Sequence, residues 1–326
     1  MRFPYLLVIL LAIQYPFGKK LYAQPNPKLE KKIIRSIKKY SGIDDQKVPN
    51  LLVIYAYDGA QGLINLDFNK DDTITLDPDK YVALGDASQF ITAQLICHLA
   101  QDKNFSLQED INQFLPQGYR NSTPISIEDL LTHRSGLPKL PSNFGQFEKD
   151  QSAPFRYYSD TTLWQFFHDF RFGERIGTYR YSLVGYALLQ SVSDKYSLEI
   201  LNPREMAVNQ GHKEGKAIMR VLNYNRFKYA KGLWLSPNKL FQLIQETKPI
   251  TKAYPIYPTK LQKGTYSSYG FHVIKDRRHQ ISLLKGATAG FTVMAAFDRE
   301  RDRTLLVVAD SQDYTGQLFY ALSWFF

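Results

Sequence analysis

Strand-like runs stand at both ends of this chain with helix between them, and that order restricts the fold more than any other feature. Near the start, Leu51–Tyr57 is an apolar run, Asp58-Gly59 marks a turn, and Gly62–Phe68 reads as a second strand. Two such runs around an Asp-Gly turn predict a β-hairpin. Near the end, Ser267–Lys275, Gln280–Lys285, Phe291–Phe297 and Thr304–Asp310 read as four further strands, and Tyr314–Phe326 as a closing helix. Helical patterning covers residues 27–41 and about Ala87 to Gln101, and the stretch 105–230 is helical and loop-rich. The expected class is α/β in the α+β sense: an antiparallel sheet drawn from both chain ends, flanked by helices, with an inserted helical lobe. The sheet lobe is expected at about 27–85 and 230–326 and the helical lobe at about 105–230, in one two-lobed unit over 24–326.

The first residues are set apart from that pattern. Arg2, an apolar run from Phe3 to Phe17 and a small residue, Ala23, before Gln24 predict a secretory signal peptide over 1–23. The run is short of the roughly 20 residues of a membrane span. Export to the periplasm or the medium follows, and a membrane tether only if this segment is not cleaved. It carries Arg2, Lys19 and Lys20 and no acid, so the formal charge falls from +10 to +7 without it. The densest basic cluster, Lys28, Lys31, Lys32, Arg35, Lys38 and Lys39, has helical spacing and reads as a solvated helix face. In an exported protein this argues against a nucleic-acid partner. The single cysteine, Cys97, allows no internal disulfide and sits in an apolar run. The six histidines form no metal-binding motif, so no metal is expected.

One motif is specific. Leu130-Leu131-Thr132-His133-Arg134-Ser135-Gly136-Leu137-Pro138 resembles the Leu-Leu-Thr-His-x-Ser-Gly-Leu-Pro signature of the serine beta-lactamase and penicillin-binding-protein superfamily, which includes class C beta-lactamases, esterases and D-Ala-D-Ala carboxypeptidases. Other segments resemble family motifs in family order: Ser106–Pro116, Tyr181–Leu189, Gly232–Ser236 and Gly286–Phe291. The resemblance implies a beta-lactamase/transpeptidase-like fold and a cofactor-free site for beta-lactams, D-Ala-terminated peptides or esters. It also implies that Leu130, Leu131, Thr132, His133, Ser135 and Gly136 are scaffold beside that site.

Family members acylate a serine that opens a helix, with a lysine one turn on. Aligned through Gly85 and Thr92-Ala93, this chain has Asp86 at the serine position and Gln89 at the lysine position. A carboxylate would form a labile anhydride, and glutamine is no base. The second motif keeps Tyr181 but has Leu183 for its asparagine, and the third has Leu284 where Lys or His precedes x-Gly286. Lys285 is one position off and, on a strand, is expected to face away. With Leu183 and Leu284 in its wall, the cleft is expected to be more apolar than its relatives'. Asp86-x-x-Gln89 at a helix start resembles a capping box, which would make the replacements stabilising.

Alternative nucleophiles are weak. Ser88 lacks a lysine one turn on, and Ser36/Lys39 and Ser236/Lys239 match Ser-x-x-Lys in the wrong places. Tyr181 without a serine to serve reads as a packing and hydrogen-bonding residue. The chain is therefore expected to be a non-catalytic binding or scaffold protein of the cell envelope, with a cell-wall peptide or an envelope protein as partner classes. Two alternatives stay open: a weak or rearranged serine hydrolase, and a membrane-tethered interaction protein.

Overall fold

The computed structural model describes residues 25–40, 50–66, 75–146, 154–197, 207–213, 216–218, 224–277, 279–288, 290–311 and 326. The expected signal peptide and the expected closing helix at Tyr314–Phe326 (its last residue aside) lie outside them.

An eight-stranded antiparallel sheet forms the frame. Its strands are β1 (Leu51–Tyr57), β2 (Ala60–Leu66), β7 (Tyr257–Pro258), β8 (Thr265–Ser267), β9 (His272–Lys275), β10 (Gln280–Thr288), β11 (Phe291–Asp298) and β12 (Arg303–Ala309), in the order β2-β1-β12-β11-β10-β9-β8-β7. The N-terminal hairpin joins the C-terminal strands through β1 against β12, with Leu51 opposite Ala309 and Tyr57 opposite Arg303. Four short strands complete the set: β3 (Val82–Ala83) pairs with β6 (Trp234–Leu235), and β4 (Gly211–Lys213) with β5 (Lys216–Ile218).

Both faces of the sheet are covered, which is why β1, β11 and β12 read as nearly continuous apolar runs. On one face lies helix α1 (Pro27–Tyr40), which inserts Leu29, Ile33 and Ile37 against Val53, Met294 and Val307 and leaves its lysines outside. Tyr55 pins that helix, donating to Glu30 Oε1 at 2.8 Å and accepting from the Asn26 N–H at 3.1 Å. The other face carries α2 (Ser88–Asp102) and α6 (Pro237–Thr251), and beyond them α3 (Ile127–Leu131), α4 (Asp160–Asp169) and α5 (Leu183–Lys195). The α2 helix is almost wholly buried, so its hydrophobic residues run round the helix instead of forming a stripe.

The predicted strand Ser267–Lys275 is corrected: it is a hairpin, β8 and β9, with Ser267 paired to His272. Gly270, at φ +79°, turns the chain there, and a Cβ on it would lie 2.5 Å from the Gln89 carbonyl oxygen. Apolar alternation continues through the turn, so periodicity alone joins the two strands. Among the described residues, no helix is long and apolar enough to cross a membrane.

Candidate active-site cleft

The cleft forms where α2 begins, between the start of that helix and the edge of β10. Leu84 and Gly85 lead into a single 3-10 turn, Gly85–Ala87, and α2 follows directly. This turn is pressed onto β10. A Cβ on Gly286 would collide with the Leu84 carbonyl oxygen and lie 2.7 Å from the Ala87 nitrogen, so only glycine fits there. Gly85, at φ +55°, meets Ala287 just as closely. Strand β9 stops at His272, opposite Leu283, and β10 runs on to Thr288 with that edge uncovered by β9. The cleft wraps around this edge.

Its wall holds Asp86, Gln89, His133, Tyr181, Gly270, Phe271, His272, Leu283, Leu284 and Lys285. The volume is about 40 Å³, room for a few water-sized groups. Lys285 alternates to the face of its cross-strand partner Met294, away from Leu284, as the strand period requires. Because β9 has ended, it still stands on the rim, close enough to His272 to disfavour a second positive charge there. The expectation that Leu183 and Leu284 both line the cleft is corrected for Leu183. Leu284 does line it, but Leu183 is the first residue of α5, buried in the core with its N–H on the Lys139 carbonyl. Six of the ten wall residues carry polar side chains.

Those polar groups are joined in one chain. The Ser182 backbone N–H donates to His133 Nδ1 at 3.1 Å, which leaves the ring proton on Nε2. His133 Nε2 lies 3.1 Å from Gln89 Oε1 and donates to it. Gln89 Nε2 donates to the Tyr181 hydroxyl oxygen at 2.8 Å and to the Ala230 carbonyl at 3.3 Å. The Tyr181 hydroxyl bonds in turn to Asp86, and Asp86 Oδ1 accepts from Lys231 Nζ at 3.0 Å. The capping-box reading of Asp86 and Gln89 is therefore corrected. Neither the 3-10 turn nor α2 has a side-chain cap, since both side chains turn into the cleft to meet partners that are remote in sequence.

The electrostatics hold the buried rings of the cleft uncharged. Burial holds His133 down to about 3, with the charge of His272 adding to the effect. Burial also holds His272 down to about 4, assisted by Lys285. Tyr181 is pushed well above the ordinary phenol value by burial and by the neighbouring Asp86 charge. At neutral pH the cleft thus offers no phenolate and no imidazolium. Both nitrogens of His133 are engaged, so it has no lone pair free for a substrate proton.

The Leu130–Gly136 motif supports this cleft. The Leu131 carbonyl accepts from the Tyr186 hydroxyl, Leu130 packs on Gly185, and the Thr132 carbonyl accepts from Ser267 Oγ at 2.9 Å. His133, at φ +58°, and Gly136, at φ +80°, turn the chain so that the imidazole enters the cleft. The Ser135 hydroxyl accepts from the Leu137 N–H at 3.4 Å. None of the serines weighed as an alternative nucleophile lines the cleft. Ser88 is fully buried, its Oγ accepting from the Leu233 N–H. Ser236 caps α6, and Lys239 reaches Tyr81 instead. Burial pushes the Cys97 thiol up to about 12, so it is inert.

Sequence reasoning missed Lys231, His272 and Tyr179. Lys231 lies in a π-helical turn, Lys228–Gly232, and no spacing rule ties it to Asp86. Tyr179 holds His272 by a 2.9 Å contact between its hydroxyl and Nε2. Among the described residues, no three His, Cys, Asp or Glu side chains come together as a metal site.

A sheet built from both chain ends, a buried helix starting at a cleft on the β10 edge and a helical lobe closing over it define the architecture of serine beta-lactamases and transpeptidases. The structure superposes on a beta-lactamase/D-alanine carboxypeptidase from Yersinia pestis, complexed with citrate, with a TM-score of 0.75 at 16% identity, covering 92% of this chain and 98% of that one. A class C beta-lactamase from Rhodobacter sphaeroides gives 0.71 at 15% identity, over 92% and 98%. An octameric penicillin-binding protein homologue from Pyrococcus abyssi gives 0.71 at 17%, over 91% and 76%. Residues 35–197 match the Beta-lactamase family model, and the chain belongs to that family. Among curated proteins it is similar to teichoic acid D-alanine hydrolase of Staphylococcus aureus, 30% identical over 87 residues. That match takes in 27% of this chain and spans only about a fifth, 21%, of the relative's length.

Proposed function

We propose that this chain is an exported family member that binds a ligand at the cleft without being acylated by it, in the cell envelope where a cell-wall peptide or an envelope protein is the partner. The reading rests on Asp86 and Gln89 being locked into one hydrogen-bonded chain from Ser182 to Lys231. In the family resemblance these are the positions of the nucleophile and its lysine. Here the first is a carboxylate paired with a lysine, and the second is an amide whose donor and acceptor are both used. Loss of a serine nucleophile alone removes about 10⁶-fold in turnover in a serine protease. Export is supported by the leader-like residues 1–23.

Intact mass of the purified protein after exposure to penicillin and to a fluorophosphonate tests the proposal, with an active relative as the labelled control. An unchanged mass is expected. A single stoichiometric adduct would overturn the reading, and peptide mapping of the adduct would name the nucleophile.

A further inference from the structure

The end of the sheet remote from the cleft carries a different chemistry. Strand β9 runs from His272, in the cleft wall, to Lys275 at the far end, roughly 10 Å away. Two loops meet there: 259–264, between β7 and β8, and the start of the turn after β9. The Lys275 N–H donates to the Gly264 carbonyl at 2.8 Å, so they form one surface.

The first loop presents Leu261, at 65% the most exposed of the large apolar side chains exposed in the described residues. It is held out by an ordered turn. Thr259 Oγ1 donates to the Thr265 carbonyl at 3.0 Å and accepts from the Leu261 N–H, and the Thr265 N–H donates to the Gln262 carbonyl. Gly264, at φ +80°, closes the turn. The same surface carries Lys260 and Lys263 on this loop and Lys275 and Arg277 at and after the end of β9, all exposed. None of the four has an acidic partner among the described residues. The acids at this end are engaged elsewhere: Asp302 with Lys248, Glu300 with Lys252 and Asp58 with Arg303. Asp276 caps the His279 N–H.

A fixed apolar side chain on a surface with four cations that have no acidic partner among the described residues matches an anionic bilayer surface, which offers apolar depth beneath a layer of phosphates. A soluble polyanion would have no use for the leucine. We propose that this tip docks the protein on anionic phospholipid, with Leu261 entering the headgroup layer and the four cations meeting its phosphates. Docking by this end turns the cleft away from the membrane.

The test uses the full chain carrying Leu261→Cys labelled with an environment-sensitive fluorophore. The other cysteine, Cys97, is buried and does not compete for the label. A reporter at this position reads the tip even if the N-terminal segment holds the chain on the vesicle. A blue shift is expected on phosphatidylcholine vesicles containing one-third phosphatidylglycerol, and none on phosphatidylcholine alone. Adding Lys260→Gln and Lys263→Gln should raise the lipid concentration at half-shift by roughly fivefold per lysine. Lys31→Gln with Lys32→Gln, on the exposed face of α1, should leave it unchanged. No shift, an equal shift on neutral vesicles, a shift lost only in the α1 variant, or the same shift with soluble polyphosphate would each overturn the proposal.

Discussion

Lys231 Nζ lies 3.0 Å from Asp86 Oδ1, so the carboxylate at the start of α2 is met by a lysine from 145 residues further along the chain. The pair is partly buried, with the side chains 24% and 35% exposed. It closes a hydrogen-bonded chain that begins at the Ser182 backbone and passes through His133, Gln89 and Tyr181. In such a chain each group is oriented by the next, and removing one strands its neighbours.

Asp86→Ser replaces the carboxylate with the residue type that the family resemblance expects there, yet should not stabilise the fold. It leaves the Lys231 ammonium without its partner and the Tyr181 hydroxyl without its acceptor. A loss of about 1 kcal/mol is expected, near the upper end for an ion pair that solvent still screens. Thermal unfolding should move down by roughly 2 °C. A double-mutant cycle with Lys231→Met checks the assignment: the two losses should not add. A clear rise in melting temperature would remove the pair from the list of stabilising contacts.

Gln89→Lys should cost more. His133 Nε2 needs an acceptor, because its Nδ1 is already taken by the Ser182 N–H, and an ammonium supplies only donors. The substitution leaves a buried donor unsatisfied and sets a positive charge against it, a loss of about 2–3 kcal/mol. Urea unfolding measures it. The lysine that the family resemblance expects at this position is therefore expected to be harmful in this background.

Much of this fold is legible in the sequence because burial on both sheet faces writes itself into β1, β11 and β12 as long apolar runs. The Leu130–Pro138 motif was readable for a similar reason: it is local, and its turns demand particular residues at His133 and Gly136. What failed were inferences that treated side chains as answering to their own helix. Asp86 and Gln89 have the spacing of a cap, and spacing cannot tell that Lys231 and His133 compete for them. Leu183 sits beside Tyr181 in sequence, but the helix it opens carries it into the core. The hairpin β8–β9 was missed because the hydrophobic pattern crosses Gly270 unbroken.

Gly286→Ala should be among the most damaging single-methyl changes in the protein. The new Cβ would meet backbone atoms of Leu84 and Ala87, and neither is the movable end of a side chain. Either β10 or the turn before α2 must shift, at about 3 kcal/mol, the top of the usual range for overpacking. Gly118→Ala, where an added Cβ meets nothing within 4 Å, supplies a control for the glycine-to-alanine exchange alone. Unfolding free energies of the two variants, from denaturant titration, should differ by most of that amount.

The two cleft histidines should make the protein acid-sensitive above the range where its carboxylates titrate. His272 is held from 6.5 down to about 4, and His133 to about 3. In the unfolded chain both take up a proton near the ordinary value, so between about 6.5 and 4 the unfolded state binds more protons than the folded one. Stability therefore rises with pH across that window, and it falls as pH drops through it. These depressions correspond to roughly 3 kcal/mol for His272 and roughly 5 kcal/mol for His133, lost progressively on acidification. The His272→Gln variant keeps a polar side chain facing the Tyr179 hydroxyl and does not titrate. Its unfolding free energy should fall less steeply than the parent's between pH 6.5 and 4, by up to about 1.4 kcal/mol per pH unit for one proton. Identical slopes in parent and variant would mean that His272 is protonated in the folded cleft, with its charge accommodated beside Lys285 despite their mutual repulsion.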